Sequence, residues 1–127
     1  MADIATYHSF LTSLIFTIIV ETSVVFALLK SVLRDDRVNP KFLLFVCIFA
    51  NFATVPYVWF VLPGVLGWSR SAALIISEPF VFIVEALFYW IVLDIDWKKA
   101  LLISLVANAA SYFLGPLLRG AGLWIYW

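Results

Sequence analysis

The sequence predicts an all-α integral membrane protein: four transmembrane helices arranged as two tandem helical hairpins in parallel repeat. Three observations predict it. Hydrophobic residues make up 65% of the 127 residues and charged residues only 13%, far from the balance of a soluble domain. Four apolar runs are each long enough to cross a hydrocarbon core of about 30 Å, which takes about 20 helical residues. Finally, the second half of the chain repeats the first at a shift of 57 residues.

The runs are Phe10 to Leu33, Phe42 to Leu66, Ser71 to Leu93 and Ala100 to Leu118. Their continuity excludes the alternating pattern of barrel strands, and only helices satisfy their own backbone groups in lipid. The short connections predict antiparallel neighbours within one domain, residues 1–127. The start, MADIATYHSF, lacks a basic region and a small-residue cleavage site, so it reads as a mature N-terminus. Six of the eight Lys and Arg residues (Lys30, Arg34, Arg37, Lys41, Lys98 and Lys99) fall in or beside the first and third connections. The positive-inside rule then places both termini outside the cytoplasm, in a multi-pass protein of the cytoplasmic membrane. Trp68 and the LWIYW tail suit an outer aromatic belt, and Trp97 an inner one.

The repeats cover roughly residues 10–66 and 71–123. Ile18, Ile19, Glu21 and Val24 meet Ile75, Ile76, Glu78 and Val81; Lys41, Asn51 and Ala53 meet Lys98, Asn108 and Ala110. Thr54 meets Ser111, and Cys47 meets Ser104. At this shift Glu85 stands opposite Leu28 and has no counterpart. Both halves keep one topology, so the axis relating them runs along the membrane normal.

The candidate ligand- or ion-binding residues are Glu21, Asn51, Thr54, Glu78, Glu85, Asn108 and Ser111. A carboxylate near mid-membrane costs about 2.5–3.5 kcal/mol even on lenient scales, so three of them should face a protein interior or a wet cavity. Glu78 and Glu85 share a helix face, about 10 Å apart along the axis. Ser9, Ser13, Thr17 and Glu21 form a stripe from the outer end to the centre, and Tyr89 continues the face of Glu85. Pro56, Pro63, Pro79 and Pro116 all lie in or near the outer halves, where proline kinks a helix. These features predict an outward cavity that ends near Glu85, Asn51 and Asn108 above an apolar plug. The plainer reading of the Asn, Ser and Thr positions is hydrogen-bonded glue between helices. Arg70 is a candidate counter-ion for Glu78, whereas Glu85 has none in view and carries the functional expectation most strongly.

Composition excludes several classes. The formal charge is zero, so no basic surface points to nucleic acid, and one Cys and one His leave no disulfide, thiolate metal site or haem site. No Ser–His pair, HExxH or GxSxG occurs, so an enzyme is not expected, and no cofactor is implied. Carboxyl–amide chemistry suits a hard cation, a protonated amine or a proton. The first expectation is a transporter or channel-like protein for such a solute, working among membrane lipids and as a homo-oligomer. The alternative is an accessory, scaffold or lipid-binding subunit that recognises another membrane protein through its polar face.

The succession of a membrane Glu21, ANFAT with Pro56 and Trp59, EPFVFIVEALFY and SLVANAAS followed by Gly115 resembles small four-span prokaryotic membrane proteins of unassigned function. That resemblance implies the four-span architecture and no activity. In length and in a first-helix glutamate the chain is also similar to the small multidrug resistance transporters. It departs from them in its repeat, in Glu78 and Glu85, and in its strong charge bias.

Overall fold

In the computed structural model, which describes residues 4–122, the chain is all-helical. Four helices are long and apolar enough to cross a membrane, by length and composition: α1 Ile4–Val32, α2 Pro40–Leu66, α3 Arg70–Val92 and α4 Trp97–Gly120. This is consistent with a multi-pass membrane protein.

Three helix starts have a local chemical cause. Asn39 Oδ1 accepts from the backbone N–H groups of Lys41 (2.9 Å) and Phe42 (3.3 Å), and Pro40 occupies the first turn. Ser69 Oγ accepts from Ala72 N, and Asp96 Oδ1 from Lys98 N. Each cap satisfies amides that have no intrahelical partner. The caps extend α2 to Pro40 and α4 to Trp97, beyond the apolar runs, because hydropathy marks immersion whereas hydrogen bonds mark helix ends. Gly67 ends α2 at φ 64°, a left-handed position that glycine occupies without strain.

Two stretches leave the α register. After Pro56, which has no N–H to donate, Tyr57–Val61 form a π-helical segment. Ala27–Val32 form another at the end of α1.

The helices stand in a ring. α1 packs on α2 and α4, and α3 packs on α4 and α2. The ring's inner faces are built from small and polar residues at helical spacing: Ala50, Asn51 and Thr54 on α2; Ala107, Asn108 and Ser111 on α4. Large apolar side chains point outward instead, among them Phe45, Phe49, Ile83, Ile91 and Phe113. This reverses the arrangement that water selects and suits an apolar solvent. At the end of the bundle that carries the first and third connections, Val25, Leu29, Leu43, Tyr89, Leu93 and Ile103 close into a buried core.

Candidate functional site

The centre of the ring holds two carboxyls in matching cradles. Glu21 of α1 accepts from Asn51 Nδ2 of α2 at 3.0 Å and from Ser111 Oγ of α4 at 2.6 Å. Glu85 of α3 accepts from Asn108 Nδ2 of α4 at 2.6 Å and from Thr54 Oγ1 of α2 at 3.1 Å. Each carboxyl therefore takes an amide from its own hairpin and a hydroxyl from the other. Both amide orientations are set by second bonds, from Asn51 Nδ2 to Cys47 O and from Asn108 Nδ2 to Ser104 O. Ser104 Oγ also donates across to Phe82 O of α3 at 2.8 Å. All six residues of the two cradles are buried.

In hydrogen bonding Glu85, rather than Glu78, is in the same setting as Glu21. Glu21 and Asn51 are 30 residues apart, but Glu85 and Asn108 only 23. The seven additional residues of the first hairpin go into the longer, π-wound end of α1 and the longer loop before Asn39. Counted from the two carboxyls, Ser13 matches Ser77 and Leu29 matches Leu93, and all four are buried. Ser77 was missed in the sequence because an ungapped shift sets it against Val20. Tyr89, expected to continue the face of Glu85, is buried in the apolar core.

A cavity of about 320 Å³ leads to the two carboxyls. It runs between the exposed Ser71 and Arg119, at the end of the bundle that carries the termini, and the buried Glu21, Glu85 and Asn108. Ser13, Thr17 and Glu78 line it as well, together with apolar walls that include Trp59 and Tyr112. Glu78, half-buried, makes no hydrogen bond or ion pair among the described residues. Arg70, its expected counter-ion, has a side chain outside the described part, as do the aromatic residues of the tail. Asn51 is fully buried behind the cavity rather than on its surface, and its Oδ1 has no hydrogen-bond partner.

The cradles tolerate either protonation state of their carboxyls. Ser111 has one hydroxyl proton and two acceptors in reach, Glu21 Oε1 at 2.6 Å and Asn108 O at 3.0 Å. Thr54 likewise reaches Glu85 Oε1 and Ala50 O, both at 3.1 Å. An ionised carboxyl takes the hydroxyl proton. A protonated carboxyl supplies its own proton to the hydroxyl oxygen, and the hydroxyl turns to its backbone carbonyl. Neither state leaves a donor or acceptor of that bond unmet.

At the opposite end, Asp35 joins the first connection to the start of α4. Its carboxylate accepts from Arg37 Nε (3.0 Å) and Nη2 (2.9 Å) and from Lys99 Nζ (2.9 Å). The Arg37 guanidinium, and next the Lys99 ammonium, hold that carboxyl well below the usual carboxylate range. Lys30 Nζ donates to the Asp35 and Val38 carbonyls and so ties α1 to its loop.

No protein-family model, curated protein or solved structure matches the chain. The site's chemistry carries the functional reading.

Proposed function

We propose that the chain is a small proton-coupled transporter or channel-like protein of the cytoplasmic membrane, moving a cation or an amine through the cavity that ends at Glu21 and Glu85. In this reading the two hairpins are tandem repeats and both termini lie outside the cytoplasm. One observation carries the proposal: a cavity from the terminal end of the bundle stops, against an apolar core, at two buried carboxyls whose hydrogen bonds accommodate both charge states. A carboxyl that binds a proton or a cation in turn couples their movements, and a site at mid-depth between repeats is where secondary transporters hold substrate. The outward apolar surface is for lipid and for a second copy of the chain.

The test is flux. Purified protein is reconstituted into liposomes that trap a pH dye, and monovalent cations, divalent cations and small amines are added in turn. Proton movement should depend on one class of added solute and disappear in Glu85→Gln. Proton movement that is insensitive to every solute, or that survives Glu85→Gln, refutes coupling at this site. Silence from folded protein turns the reading to recognition of another membrane protein.

A further inference from the structure

The cavity carries carboxyl groups at two levels. Its floor is the Glu21–Glu85 pair, and Glu78 stands two helical turns above Glu85 on α3, about 10 Å along the axis. On α3 Val81 stands between the two glutamates, and Val55 and Val58 of α2 line the same cavity, so its wall there is apolar. Ser13 adds an independent sign of a ligand. Its hydroxyl lines the cavity, the residue is 1% exposed, and Oγ has no hydrogen-bond partner. On the same helix Thr12 and Ser23 turn back to the His8 and Ile19 carbonyls, as hydroxyls in helices ordinarily do. A buried hydroxyl on a cavity wall without a bond is one that the cavity's contents complete.

We propose that the cavity binds a linear aliphatic diamine, with one ammonium at the Glu21–Glu85 floor, the other at Glu78, and the methylene chain along the apolar wall between them. This names the substrate class for the transport reading above and rests on it. Amines of the lysine type titrate near 10, so such a molecule is a dication at neutral pH. An ammonium donates three hydrogen bonds and can share carboxyl oxygens that already serve the protein, while Ser13 Oγ, which has no partner, offers a further acceptor. A bare divalent ion needs about six or more converging oxygens. Every oxygen of Glu21 and Glu85 already accepts a protein donor, and no cluster of three or more metal-ligating side chains occurs among the described residues. A monoamine answers one level of carboxyls and leaves the other without a partner. The volume lies at the small end of ordinary small-molecule sites.

The experiment is calorimetric titration of the purified protein in detergent with diaminoalkanes of increasing length, and with monoamines and alcohols of the same lengths. The expected result is a length optimum at which a diamine binds at least about tenfold tighter than its monoamine, the size of one charge-assisted contact. Glu78→Gln should remove that advantage, so that a diamine binds no tighter than the monoamine of its length. Val58→Trp, which fills the cavity without touching a carboxyl, should abolish binding of both. Equal affinities for diamine and monoamine, an advantage that survives Glu78→Gln, or unchanged binding in Val58→Trp each overturns the proposal. Binding in detergent needs no transport, so the two readings fail separately. Diamine binding without flux refutes the transporter and keeps the site; flux of another cation without diamine binding does the reverse.

Discussion

Replacing Asn108 by alanine tests whether the Glu85 cradle holds α3 and α4 together. The side chain is almost wholly buried, and its Nδ2 donates to Glu85 Oε2 at 2.6 Å and to Ser104 O at 3.0 Å. Hydrogen bonds between membrane helices average about 0.6 kcal/mol and reach about 1.7 kcal/mol. A buried acceptor left without its donor costs more, about 1–3 kcal/mol. The second effect governs here, because Thr54 bonds the other carboxyl oxygen and no described residue replaces Asn108 at Oε2. Asn108→Ala should therefore cost about 2 kcal/mol. In a Glu85→Met background the bond is already gone, and the same change should cost about 0.5 kcal/mol or less, giving a coupling of about 1.5 kcal/mol. Equilibrium unfolding in mixed micelles, followed by far-ultraviolet circular dichroism, measures all four corners of this cycle. Equal costs in the two backgrounds would show that Asn108 acts through α4 packing alone and would refute the cradle.

Two more outcomes follow from the geometry. The Asp35 side chain is 2% exposed, but its partners Arg37 and Lys99 are 72% and 34% exposed and can be rehydrated; Asp35→Asn should thus cost about 1–2 kcal/mol, between an exposed pair and a fully buried one. Because the folded carboxyl lies below the unfolded value of about 3.9, its stabilisation is fully present above about pH 5 and is lost as pH falls through the folded value. Unfolding measured from pH 7 downward should show the gap between wild type and Asp35→Asn closing only in strong acid, and a gap that closes near neutrality contradicts the bridge. In a Cys47→Ser background, cysteines at positions 13, 17 and 78 should react with a membrane-impermeant thiol reagent from outside, whereas Val25→Cys in the apolar core should not. Resistance at positions 13, 17 and 78 would sink the outward cavity.

Much of this was legible in the residues. Apolar length gave four helices, though not their starts, which the caps at Asn39, Ser69 and Asp96 set. Buried glutamates with asparagines at helical spacing announced a polar interior. The pairing was not legible. An ungapped comparison sets Glu21 on Glu78 because the first hairpin's additional residues lie in a π-wound helix end and a loop, neither of which has a sequence signature. Trp59 was visible only as part of a resemblance, and Val58 and Tyr112 not at all, since an apolar residue that faces a cavity looks like one that faces lipid.

The sequence by itself determined the number of helices and the presence of three carboxyls that apolar surroundings penalise. Tertiary structure decided which carboxyls meet at the centre, that each is held by both hairpins, that Glu78 stands apart in the cavity wall, and that Asp35 joins the first connection to the start of α4 through Lys99. The reason is physical. Where both the core and the outer surface are apolar, hydrophobic patterning does not set a helix's rotation or its register against its neighbours. Close packing of small residues and a few directional hydrogen bonds between distant positions do, and these exist only once the helices are assembled.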